Sequence, residues 1–147
     1  MTVQGAERFL ARFRAFGAKP DPDAYVELFD PSDGTVLHPG MQQPLHRDHV
    51  RAYMSAYLAA MPGFRFAVLR HAVAGDVIFI EARSHAEPGG RPLDWGICYC
   101  IQLRGERVLA GRAYADRVPL LARLTPSATL AEADGVAALL PGLEKAR

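Results

Sequence analysis

The chain has 147 residues, 50% of them hydrophobic and 22% charged, with a formal net charge of +1 at pH 7. That length is one domain able to bury a sizeable core. The even charge balance, with no like-charge tail or block, argues against a nucleic-acid partner, and no apolar run approaches the ~20 residues of a membrane-spanning helix. The start, Met1 to Arg8, has no basic segment leading into an apolar one, so we expect no signal peptide, no membrane partner and a cytoplasmic protein. Arg heavily outnumbers Lys and Ala is abundant, a composition expected of a GC-rich bacterial genome.

The first predicted element is a helix over residues 6–16. Phe9, Leu10, Phe13 and Phe16 recur at helical spacing, Glu7, Arg8, Arg12 and Arg14 fill the polar face, and Gly17 ends it. Lys19 to Pro22 forms a turn, from which Asp21 or Asp23 caps a short second helix reaching Phe29, with Tyr25, Leu28 and Phe29 as its buried stripe. A short strand over residues 35–38 stops at Pro39 and Gly40. A third helix spans residues 47–61, with Val50, Tyr53, Met54, Tyr57, Leu58 and Met61 along one face and Pro62 and Gly63 closing it.

From Phe64 the period changes to two, and strands are predicted over residues 64–73, 77–86, 93–103 and 108–118. Gly75 and Gly105 sit in tight-turn chemistry for hairpins, and residues 88–92 form a longer loop. Cys98 and Cys100 fall on one face of one strand, a placement that does not favour a disulfide, so buried free thiols are expected. An Ala-rich helix is predicted over residues 126–140, stopped by Pro141 and Gly142. Helices followed by consecutive hairpins describe an α+β domain with its helices packed on one face of a curved antiparallel sheet.

Several side chains could carry chemistry. His85 shares a strand face with Glu81 and Arg83, which places either a titratable ring at a pocket mouth or an ordinary solvated face, since Ile78, Ile80, Ala82 and Ser84 make the better apolar side. Trp95, the only tryptophan, shares a face with Ile97 and Tyr99 and is either core or pocket wall. Tyr25, Tyr53 and Tyr57 read as core by spacing, with Tyr57 the best of them for a polar handle in an apolar pocket. His46 and His49 lie three apart without further ligands at metal spacing, so no metal is expected. Asp94 and Asp116 would suit a two-carboxylate glycosidase only at the required separation. No phosphate loop, nucleophile elbow or dinucleotide fingerprint is present, and no cofactor is expected.

Five stretches in this order resemble the SnoaL-like branch of the NTF2-like superfamily. They are Val36 to Gly40, Pro44 and Leu45 leading into Val50 to Tyr53, Met61 to Phe66, Gly75 to Glu81, and Gly105 to Val108 running into Tyr114, Ala115 and Asp116. The chain departs from that pattern in lacking a Gly after Pro44 and Leu45, and in the distinctive Leu93 to Gly96 stretch, a possible pocket wall. The resemblance implies an NTF2-like cone over residues 1–124, three N-terminal helices on a curved sheet enclosing a pocket, with residues 125–147 as a C-terminal helical extension. It implies a small hydrophobic ligand, and a homodimer formed through the outer sheet face, to which Val77, Phe79, Cys98 and Cys100 are candidate contributors. It also places Asp116 where SnoaL-like cyclases carry a general acid/base, whose pKa an apolar cone would raise, and His38 at the pocket rim. Asp116 and His85 are therefore the catalytic candidates, and His38, Tyr57, Trp95, Tyr99 and Tyr114 the ligand-binding ones. A cofactor-free cyclase or isomerase, an epoxide hydrolase drawing on Arg83 and Arg112, a non-catalytic binding domain and a dimeric scaffold all remain compatible with these residues.

Overall fold

The computed structural model describes residues 1–120, in two compact units: Met1–Ala115, and the segment from Asp116 onward. The helix expected over residues 126–140 and the extension over 125–147 lie outside the described residues.

In the first unit, α1 (Val3–Ala18) starts earlier than the apolar stripe because Thr2 caps it, its side-chain oxygen accepting from the Gly5 N–H at 3.0 Å. Phe9, Leu10, Phe13 and Phe16 are buried as the spacing predicts. The last turn of α1 lies so close to the sheet that a Cβ on Gly17 would stand 2.6 Å from the Phe66 ring. In α2 (Pro22–Val26), Asp21 accepts from the N–H groups of Asp23 and Ala24, and Pro22 opens the helix. It ends before Phe29 because the chain then joins the sheet: Val108 N–H donates to the Leu28 carbonyl and Asp30 N–H to the Val108 carbonyl.

After β1 (Thr35–Leu37) comes a two-residue strand, β2 (Leu45–His46), that the sequence reading did not anticipate. It runs directly into α3 (Arg47–Ala60), whose N-cap is His46, with Nδ1 accepting from the Asp48 N–H at 3.2 Å. That imidazole cap starts the helix without a glycine. The remaining strands are β3 (Arg65–Ala74), β4 (Val77–Ala86), β5 (Leu93–Arg104) and β6 (Arg107–Ala115).

The six described strands form one sheet in the order β2-β1-β6-β5-β4-β3. Every pairing is antiparallel except β1 with β6, which is parallel. On the inner face Ile78, Ile80, Ala82 and Ser84 of β4 and Trp95, Ile101 and Leu103 of β5 are buried, and the apolar stripe of α1 joins Tyr25, Val50 and Met54 over that face in one core. Alternation along each strand sends Phe79, Glu81, Arg83 and His85, with Asp94, Cys98 and Cys100, to the outer face. The result is the α+β arrangement expected, helices on one side of the sheet. Among the described residues no helix is long and apolar enough to cross a membrane.

Candidate functional site: a tyrosine and histidine cluster on the inner sheet face

At one end of the core the packing changes from aliphatic to aromatic and polar. The i, i+4 spacing puts Tyr53 and Tyr57 on one side of α3, with ring centroids 6.0 Å apart. His38, just beyond β1, stacks on Tyr53 at 4.2 Å and 14°, and its Nε2 lies 2.8 Å from the Tyr25 hydroxyl of α2. Tyr57 meets Phe64 edge to face at 5.0 Å, and Phe64 in turn stacks over Trp95 of β5 at 6.0 Å. Tyr99, two rungs further along the inner face of β5, packs against Phe13 and Phe66. Tyr25 and Trp95 are buried, whereas His38, Tyr53, Tyr57, Phe64 and Tyr99 are half-buried, so solvent reaches the cluster from their side.

Burial sets the protonation states. Desolvation of the imidazolium lowers the His38 pKa from 6.5 to about 4, so the ring is neutral at physiological pH. Tyr25, Tyr53, Tyr57 and Tyr99 are all pushed up, first by desolvation of the phenolate; for Tyr25, Tyr57 and Tyr99 a further rise comes from repulsion by other tyrosines of the group. The Tyr25 hydroxyl and His38 Nε2 share one hydrogen bond that either group can donate, the neutral ring carrying its proton on Nδ1 where Tyr25 donates. The cluster thus offers uncharged hydrogen-bond donors among aromatic faces, a lining suited to an uncharged, largely apolar molecule bearing an acceptor oxygen.

Of the residues singled out from sequence, His38, Tyr57, Trp95 and Tyr99 come together here. His85 lies on the opposite face, its Nδ1 3.0 Å from Asp94 Oδ1. Tyr114 also points outward and is 59% exposed. Asp116 belongs to the second unit, where its exposed carboxylate accepts from the Val118 N–H at 3.1 Å. Cys98 and Cys100 are free, as expected, but half-buried on the outer face. Sequence reasoning passed over Tyr25 and Tyr53 as core. The signal available was that each is Tyr where Phe or Leu would fill an apolar stripe equally well. Among the described residues no three His, Cys, Asp or Glu side chains gather to hold a metal ion.

The SnoaL-like domain model matches residues 3–110. A search of curated proteins finds no match. Among solved structures, AclR from Streptomyces galilaeus, a proposed hydroxylase, is 16% identical with a TM-score of 0.71 over 95% of this chain and 96% of its own. IdmH from Streptomyces antibioticus, a proposed polyketide cyclase, is 19% identical with a TM-score of 0.69 over 81% of this chain and 97% of its own. A hypothetical protein with a ketosteroid isomerase-like fold from Catenulispora acidiphila, solved with trimethylamine, is 20% identical with a TM-score of 0.70 over 78% of this chain and 89% of its own. At these identities the likeness is one of fold.

Proposed function

The chain belongs to the SnoaL-like domain family, and from that premise we propose that it binds a small, uncharged, partly aromatic molecule in the cluster around His38 and acts on it as a cofactor-free cyclase or isomerase. The observation that carries this reading is the Tyr25–His38 hydrogen bond, with His38 stacked on Tyr53 and Tyr57 next along α3. Neutral phenol and imidazole donors stabilise charge developing on a carbonyl oxygen as it becomes an enolate, without cofactor. Asp116 is the group we assign to proton transfer, on the resemblance of the Tyr114 to Asp116 stretch to the closing strand of SnoaL-like cyclases. A second reading, non-catalytic binding, is favoured by the exposed Asp116 carboxylate and its local bond to Val118.

Binding is tested by quenching of Trp95 fluorescence with 1-naphthol and a hydroxyanthraquinone. Saturable quenching that weakens in Tyr53→Ala supports the site, and its absence removes it. Catalysis is tested by exchange of α-protons for deuterium in a bound ketone. Loss of exchange in Asp116→Asn, with binding kept, supports the enzyme acting through Asp116, equal exchange above a protein-free control in both proteins removes Asp116 from that role, and none above that control in either favours the binding domain. The same reading carries a cytoplasmic homodimer joined through the outer sheet face, supported by the exposure of Phe79 and Tyr114.

A further inference from the structure

His85 stands on the outer face with its side chain only 18% exposed, between two carboxylates. Asp94, its partner in the β4–β5 register, puts Oδ1 3.0 Å from Nδ1. Glu87, at the start of the loop joining the two strands, puts Oε1 3.7 Å from Nε2. Nε2 itself is buried and makes no hydrogen bond among the described residues.

The tautomer follows from donor chemistry. A carboxylate only accepts, so the Nδ1 facing Asp94 carries the proton in the neutral ring, and Nε2 presents a lone pair toward the Glu87 carboxylate. Two acceptors then oppose each other across a ring nitrogen that is itself buried. One proton on Nε2 turns that opposition into a charge-assisted contact and ties both carboxylates to a single imidazolium. The cations facing His85 are Arg83, two residues back on β4, and Arg65, its partner on β3; Arg91 stands further along the loop. Both strand arginines are exposed to solvent, which screens their opposition to the proton.

Each carboxylate is one step from the aromatic cluster on the other face. Asp94 precedes Trp95. Glu87 donates its backbone N–H to the Pro62 carbonyl at 2.7 Å, and its carboxylate approaches Gly63, whose neighbour Phe64 stacks on Trp95. We propose that His85 is a positioning residue: protonated, it clamps Asp94 and Glu87 together and so fixes Trp95 and Phe64 at the edge of the cluster, making the proposed ligand site pH-sensitive. The clamp itself stands on the outer-face geometry; only its consequence for ligand rests on the function proposed above.

Because Trp95 is the sole tryptophan, its emission reads the clamp without any ligand. On titration of the wild-type protein from about pH 8 to about pH 5, Trp95 emission is expected to show a transition. His85→Gln abolishes it, Glu87→Gln, at an exposed side chain, diminishes it, and Asp116→Asn leaves it intact. A wild-type protein with no transition in that range, or a transition that persists unchanged in His85→Gln, overturns the proposal. Should His85→Gln fail to fold, an undiminished transition in Glu87→Gln overturns it alone. Repeating the titration with 1-naphthol separates the two readings: a probe that never binds removes the ligand site and leaves the clamp standing, and an affinity that changes through the Trp95 transition joins them.

Discussion

Acidification singles out His38. In the unfolded chain its imidazole takes a proton near pH 6.5, while in the folded protein burial holds it neutral down to about pH 4. The unfolded state therefore binds more protons throughout that window, so the contribution is fully present above pH 6.5 and is lost as pH falls toward 4. At about 1.4 kcal/mol for each pKa unit, the interval corresponds to a loss of about 3 kcal/mol. That is a large share of the ~5–15 kcal/mol that holds a typical domain together. His38→Gln provides the control, because a Gln amide oxygen can accept from Tyr25 O–H but does not titrate. Urea unfolding followed by Trp95 fluorescence at pH 7, 6, 5 and 4 should show the wild type losing about 3 kcal/mol more than the variant. The difference isolates His38 from the other histidines and from Asp30, which both proteins share and whose stabilising contribution is lost as pH falls through and below its ordinary value of 3.8. Parallel stability curves for the two proteins would refute the claim that His38 is held neutral by burial.

Four further outcomes are expected. Gly17→Ala brings a methyl 2.6 Å from the Phe66 ring, and the overpacking of about 1–3 kcal/mol should exceed the helix-propensity gain and lower the melting temperature by several degrees. Tyr25→Phe leaves His38 Nε2 without its hydrogen-bond partner and should cost about 1–3 kcal/mol in urea unfolding at pH 7. Asp30, which accepts from the Ser32 and Asp33 N–H groups and pairs with Arg104, contributes stability that is present above the ordinary carboxyl range and lost as pH falls below it; Asp30→Asn should remove that acid-side loss from melting curves taken below pH 4. Phe79→Glu on the outer face should convert a dimer to monomer in light scattering, and a wild-type protein already monomeric at micromolar concentration would remove the dimer from the proposal.

Long strands and their turns were legible because period-two patterning and positive-φ glycines are local properties. Gly75 and Gly105 take φ of 62° and 64°, as tight hairpin turns require. What could not be read locally was pairing across the chain. β2 is two residues long, too short to display a period, and exists because Thr35 and Val36 pair with His46 and Leu45. The parallel junction of β1 with β6 brings together residues more than seventy positions apart. The end of α2 was overestimated for the same reason: Leu28 and Phe29 keep the apolar stripe of a helix but obtain it from sheet contacts with Val108.

The site shows a sharper version of that limit. Alternation fixes which residues share a strand face and leaves open which face the helices cover; here the covered face is the one carrying Ile78, Ile80, Ala82 and Ser84. His85 and Trp95 are neighbours of register partners, Asp94 with His85 and Ser84 with Trp95, yet the pleat sends them to opposite sides of the sheet. The inner face keeps only groups that burial drives toward neutrality, His38 downward and the four tyrosines upward, while the described carboxylates that pair with His85 stay outside. A cluster of that kind can orient a molecule and stabilise charge on its oxygen, but among the described residues it contains no carboxylate to take a proton from carbon. A carboxylate base would therefore come from outside the described cluster, where Asp116 is the candidate, and Asp116→Asn tests that assignment against the neutral His38 imidazole within it.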